Sequence, residues 1–119
     1  GGIVTSELKR ENILEWIAQT TSATLITASV CTGTFLLGKA GLLNGKSATT
    51  HWEDLDDLRS MFPDIRVNDE TRWVDAGQIV TSAGISAGID MSLYLVARLV
   101  SKDLAVKTAR QMEFDWHIP

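Results

Sequence analysis

Apolar residues recur along this chain with two periods, and each change of period marks the end of an element. Leu14, Ile17 and Ala18 share one helical face after the polar, acidic start Thr5-Ser6-Glu7, which predicts an amphipathic helix from Glu7 to about Thr20. Ala23 to Val30 is short, apolar and rich in β-branched residues, the pattern of a strand buried on both faces of a parallel sheet. Helical spacing resumes from Thr32 to about Ala40 through Phe35, Leu36 and Leu37, and Gly41 is suited to stop it. A turn at Gly45 leads into a short strand, Ser47 to Thr50, ahead of His51. Trp52, Leu55, Leu58 and Met61, with Glu53, Asp54, Asp56 and Asp57 between them, predict an acidic amphipathic helix that Pro63 ends.

Ile65–Val67, Arg72–Val74 and Gln78–Thr81 read as short strands, the last two joined by a turn at Asp75-Ala76-Gly77. Ser82-Ala83-Gly84 then opens a long helix in which Ile85, Ile89, Leu93, Val96 and Val100 are spaced by four, four, three and four residues. Ser82, Ser86 and Asp90 read as its capping and first-turn residues, and Gly84 and Gly88 as places where it packs closely. A last helix, Asp103 to about Phe114, has Leu104, Val106 and Ala109 as its apolar positions. Helices alternating with strands give an α/β plan for one domain, residues 1–119, with at least part of its sheet parallel.

Composition narrows the classes. The chain has 119 residues, 45% of them hydrophobic, and a formal net charge of −4, without the concentrated basic patch that a nucleic-acid face requires. No apolar run approaches the roughly 20 residues that span a bilayer, and the opening Gly1-Gly2-Ile3-Val4 is not a signal peptide. One cysteine, Cys31, excludes an internal disulfide and a multi-thiolate metal site, which fits a reducing, cytoplasmic compartment. A Gly-Gly pair at the very start reads like the middle of a domain, so a longer polypeptide is expected.

Cys31 falls where the apolar strand gives way to a helix. Composition alone favours a buried structural thiol. Its position favours chemistry instead, because ligands of open α/β sheets gather beyond the carboxyl ends of strands and thiolate is stabilised at helix N-termini. The N–H groups of Thr32 and Gly33 would lie at that helix start. His51 follows a second strand end, either as a packing residue or as the imidazole of a Cys–His pair. Gly1-Gly2 is either a flexible end or a loop whose backbone N–H approaches the thiol from the side opposite Thr32. The acidic run from Glu53 reads as a solvated helix face, with no cluster suggesting a metal site. The four tryptophans read as core or interface anchors, Trp52 excepted, since beside His51 it could wall an apolar pocket.

Three linked stretches carry a family resemblance: Ala28 to Gly33, Ala40 to Trp52, and Val80 to Asp90. They resemble the ThiJ/PfpI superfamily of the class I glutamine-amidotransferase-like fold, and within it the branch of isonitrile hydratases and the amidase-like domains of AraC-type regulators. The resemblance implies a flavodoxin-like sandwich with a mainly parallel sheet and Cys31 on a nucleophile elbow. It also implies that the N–H groups of Gly2 and Thr32 face a substrate and that His51 borders the site. The family fold normally has a preceding half that supplies the first strands and an acidic partner for the cysteine, so this chain resembles the C-terminal part of the domain. A homodimer, or pairing with such an N-terminal portion, is expected.

Two classes of function follow from the resemblance. One is a cofactor-free, cysteine-dependent enzyme acting on a small molecule, of the isonitrile-hydratase type or else a peptidase, amidase or glyoxalase-like enzyme. The other is a ligand-sensing domain of a transcriptional regulator.

Overall fold

The computed structural model describes all 119 residues. Its helices are α1 (Glu11–Thr21), α2 (Gly33–Lys39), α3 (Leu55–Met61), α4 (Ser86–Leu99) and α5 (Lys102–Gln111), and its strands are β1 (Thr27–Val30), β2 (Ser47–Ala48), β3 (Arg66–Val67), β4 (Trp73–Asp75) and β5 (Ile79–Ser82). One sheet has the order β1-β5-β4, with β1 parallel and β4 antiparallel to β5, and a second pairs β2 with β3 in parallel. The α/β plan holds, with parallel pairing in both sheets.

Side-chain alternation along β1 sets the layers. Ser29 faces α2, where its hydroxyl meets that of Thr34 at 3.0 Å, and Val30 faces α4, where Gly88 lets the helix come close. A Cβ on Gly88 would stand 2.8 Å from Val30 Cγ1. The larger core, on the α2 and α3 side, gathers Phe35, Leu37, Leu43, Ala48, Leu58, Ile65 and Ile79. Leu58 is fully buried there, which contributes about 1.5–3 kcal/mol. A smaller cluster of Leu93, Ala105, Ala109 and Trp116 joins α4 to α5.

Several elements depart from the periodicity. The first helix is broken: a 3₁₀ turn, Glu7–Lys9, stops at Arg10, whose backbone is extended, and α1 starts at Glu11. The strand expected over Ala23–Val30 shrinks to β1, an edge strand with Ala28 and Val30 exposed, where burial on both faces was expected. The loop before it satisfies its backbone elsewhere, since the Gln78 side chain donates to the carbonyls of Thr21 and Thr24 at 2.7 and 2.9 Å. Ser82 does not open α4. It is the buried end of β5, and a turn through Gly84 and Ile85 intervenes before the helix starts at Ser86.

Of the expected apolar stripe, Leu93 is buried and Ile89 and Val96 half-buried on α4, while Ile85 and Val100 fall just outside the helix and are exposed. Asp90 is no first-turn residue at the surface; it is buried and receives the Arg72 guanidinium at 2.5 Å. On α5 the buried positions are Ala105 and Ala109, while Leu104 and Val106 face outward. Of the tryptophans, Trp116 is buried, Trp73 stacks on Tyr94 with ring centroids 4.0 Å apart, and Trp16 and Trp52 are exposed. No helix is long and apolar enough to cross a membrane.

Candidate functional site

Cys31 directly follows β1 and adopts φ 58°, a left-handed conformation that costs a side-chain-bearing residue about 1–3 kcal/mol unless its surroundings enforce it. Three neighbours do so. The Cys31 N–H donates to the carbonyls of Ser82 and Ala83 at 3.1 and 3.3 Å, and the Thr50 hydroxyl donates to the Cys31 carbonyl at 2.9 Å. The ends of β1, β2 and β5 are thereby tied to one residue, and its half-buried thiol is lifted to the rim of the sheet.

Hydroxyls brace this elbow from below. Thr34 donates to the Thr49 carbonyl at 2.7 Å, and the Thr49 N–H donates to Thr81 Oγ1 at 3.0 Å. Ser29, Thr34, Thr49, Thr50 and Thr81 are all buried. Each such hydroxyl needs a partner, because an unpaired one in the interior costs about 1–3 kcal/mol. The network therefore fixes the strand ends relative to one another more tightly than apolar contacts of the same size would.

Gly2 and Thr32 meet beside the thiol. Thr32 does not cap α2 with its side chain but donates its hydroxyl to the Gly2 carbonyl at 2.6 Å. The N–H groups of Gly2 and Thr32 donate to no backbone carbonyl. Gly1 lies against the cysteine, such that a Cβ there would stand 3.2 Å from Cys31 Cβ and 3.7 Å from Sγ. Gly2 itself takes φ 77°, which glycine adopts without strain.

His51 is the cap of the 3₁₀ turn Trp52–Asp54 that leads into α3, and its Nδ1 accepts the Glu53 N–H at 3.2 Å. An accepting Nδ1 puts the proton of the neutral ring on Nε2. The carboxylates of Glu53 and Asp54 each lie 3.7 Å from the same Nδ1. The opposite edge of the ring rests on Gly84: a Cβ there would fall 2.3 Å from His51 Cδ2, so only glycine admits this approach. The next residue, Ile85, takes φ 44°, a rare conformation for a β-branched side chain, and is exposed.

These parts border one cavity of about 700 Å³. Cys31, Thr32, Gly1, Gly2 and His51 line it together with Ile3, Val4, Leu8, Phe35, Met61 and Ile85, and Glu53, Asp54 and Asp57 form its charged side. Four of the five residues singled out from sequence, Gly2, Cys31, Thr32 and His51, thus converge, while Trp52 does not line the cavity and is 74% exposed. Asp54, Asp57 and Met61 share the helical face that borders the cavity, and the acidic run is solvated as expected, with Glu53, Asp56 and Asp57 exposed and Asp54 half-buried. Gly84 had read as a close-packing position of the long helix, and its close neighbour is the His51 ring; the buried threonines went unread, and threonine at the ends of adjacent apolar strands, where valine would serve packing alone, is the signal that marks them.

A strand-to-helix elbow carrying a lone cysteine at the carboxyl end of parallel strands places the chain among α/β proteins, in whose open sheets ligands gather at that rim. The family is more specific: residues 1–98 match the DJ-1/PfpI family, and the chain belongs to it. It is 41% identical over 107 residues to the isonitrile hydratase of Pseudomonas putida, a match covering 90% of this chain and 46% of that protein. It is 34% identical over 99 residues to the HTH-type transcriptional regulator CdhR of Pseudomonas aeruginosa, covering 83% of this chain and 29% of the regulator. Among solved structures, a ThiJ/PfpI family protein from Pseudomonas syringae superposes with TM-score 0.83 at 33% identity, over 96% of this chain and 46% of the other. DJ-1beta of Drosophila melanogaster, at 18% identity and TM-score 0.81 over 98% of this chain and 62% of the other, shares the fold. The chain spans less than half the length of the curated relatives described here.

Proposed function

We propose that the protein is a cysteine-dependent enzyme that hydrates an isonitrile to an N-substituted formamide. The observation that carries this reading is the strained Cys31 at φ 58°, opening with Gly2, Thr32 and His51 onto one cavity. The likeness to isonitrile hydratase over 90% of the chain supports it.

In this mechanism the Cys31 thiolate attacks the terminal isonitrile carbon. A C–S bond forms, that carbon takes up a proton, and the product is a thioimidate. Water then adds to the same carbon, the C–S bond breaks with its electron pair returning to sulfur, and N–H and C=O remain as the formamide. The net change is addition of one water, with no cofactor consumed. The N–H groups of Gly2 and Thr32 orient the bound group and take up developing negative charge. His51, protonated on Nε2 when neutral, is this chain's candidate for handing the proton on.

A second reading is a ligand-sensing domain of a regulator, favoured by the 34% identity to CdhR. One assay separates the two. The protein is mixed with a simple alkyl isonitrile and formamide is followed by NMR, for wild type and Cys31→Ala. The enzyme reading expects formamide from wild type and a loss of turnover by about 10³-fold or more in the variant, with the fold retained by circular dichroism. Saturable binding without turnover supports the sensor, and turnover retained by Cys31→Ala rejects the mechanism.

A further inference from the structure

The backbone of Cys31 is held from its two sides by different means. Its N–H donates to the carbonyls of Ser82 and Ala83, main-chain bonds that a side-chain substitution leaves in place. Its carbonyl accepts the Thr34 N–H only at 3.4 Å, and its short bond, 2.9 Å, comes from a side chain, the Thr50 hydroxyl. Thr50 lies just past β2, is 1% exposed and does not line the cavity.

A peptide unit is planar, and in the trans form its C=O and N–H point in opposite directions. No peptide of this chain is cis. The Cys31 carbonyl and the Thr32 N–H belong to one such unit, so a hydroxyl that draws the carbonyl toward the buried Thr50 turns the Thr32 N–H the other way. That N–H donates to no backbone carbonyl, and Thr32 lines the cavity beside the thiol. We propose that Thr50 is a positioning residue: through the Cys31 carbonyl it aims the Thr32 N–H at the atom on which negative charge develops when Cys31 adds to a substrate. Thr50 touches no substrate itself. The inference rests on Cys31 being the reacting atom of the proposed function, and it adds to that reading what holds the charge-stabilising donor in place.

Two reagents separate this role from plain support of the elbow. p-Nitrophenyl acetate is attacked at its carbonyl carbon: a C–S bond forms, the carbonyl oxygen takes up the negative charge, and p-nitrophenolate leaves with the electron pair of the broken C–O bond. Methyl methanethiosulfonate is attacked at its sulfenyl sulfur, giving a mixed disulfide and methanesulfinate, and no carbonyl oxygen is charged on the way. Both reagents meet one thiol, because Cys31 is the one cysteine of the 119 residues. Release of p-nitrophenolate is read after subtracting that of Cys31→Ala, and disulfide formation is read by mass spectrometry.

Thr50→Val, which keeps the branched shape and removes the donor, is expected to slow acylation about 10-fold or more and to leave the thiosulfonate rate within about twofold of wild type. Thr50→Ser, which keeps the donor, should restore acylation to within about threefold of wild type. Asp75→Asn, whose bonds run to Tyr94 and Arg98 on α4, controls for lost stability and should change neither rate by more than about twofold. If circular dichroism shows Thr50→Val unfolded, Thr50→Ala removes the same donor with less bulk and is read in the same way. Equal slowing of both reactions, slowing of neither, or wild type that releases p-nitrophenolate no faster than Cys31→Ala overturns the proposal. Selective slowing of acylation without hydration of any isonitrile leaves the positioning role standing and removes the enzyme reading, and hydration without selective slowing does the reverse.

Discussion

At the scale of single residues, glycine sets much of the geometry around the thiol. Gly84 is the clearest case, because the His51 ring occupies the space that any side chain there would need. Gly84→Ala is expected to destabilise the protein by about 1–3 kcal/mol through that overlap and to displace the imidazole. Two-dimensional NMR of the ring protons checks it: His51 resonances should shift while those of His117, in the exposed C-terminal segment, stay in place. Unshifted His51 signals would show that the ring is held by its Nδ1 bond to the Glu53 N–H alone. The place of Cys31 at a strand-to-helix junction was legible from sequence, because the apolar run before it and the helical spacing after it are local patterns. Gly84 was legible as a close-packing position but its partner was not, since His51 lies 33 residues earlier and is brought near by the fold alone.

Between elements, polar clamps fix orientation where apolar packing is thin. The end of β4 is tied to α4 by Asp75, which accepts from the Tyr94 hydroxyl, from Arg98 at 2.9 Å and from the Gly77 N–H at 2.7 Å. Burial pushes the Asp75 carboxyl up, but the bonds from Tyr94 and Gly77 and the charge of Arg98 outweigh it, leaving its pKa below the ordinary 3.8. The Tyr94 phenol is raised above the ordinary 10.0, chiefly by its bond to Asp75, then by burial and by the negative charge of that carboxylate. A depressed carboxyl stabilises the fold at pH above 3.8 and loses that contribution as pH falls through the folded value. A raised phenol contributes below 10.0 and loses it as pH rises through its folded value. Asp75→Asn is therefore expected to lower Tm at neutral pH and to remove part of the acid-side decline seen in wild type, as thermal melts across a pH series would show. Parallel Tm–pH curves for the two proteins would contradict the clamp. Helix periods foretold that α4 exists but not this tie, since Asp75 read simply as a turn residue.

For the whole molecule, the pertinent feature is what lies uncovered. β1 has a free edge with Ala28 and Val30 exposed, and Ile3, Ile85, Leu99 and Val100 are exposed as well. A free strand edge beside apolar surface favours pairing with another chain or segment. The 119-residue chain on its own is therefore expected to self-associate, with light scattering after gel filtration giving a mass above the monomer's 13.0 kDa. A monomer that unfolds in one cooperative transition would contradict this. What the sequence by itself determined is the order of helices and strands, the α/β class and the seat of Cys31 between β1 and α2, because these depend on local period and on neighbouring residues. Through the family motifs more than the spacing it also pointed to Gly2, Thr32 and His51 beside the thiol, and these residues line one cavity with Cys31. Only the tertiary structure decided which faces are covered: a helical period defines a stripe on its own helix, whereas burial depends on what packs against it, as the exposed Leu104 and Val106 of α5 show. It alone decided, too, that Asp54 and Asp57 border the cavity that His51 lines, because the direction of α3 is set by its crossover between β2 and β3 and not by its own residues.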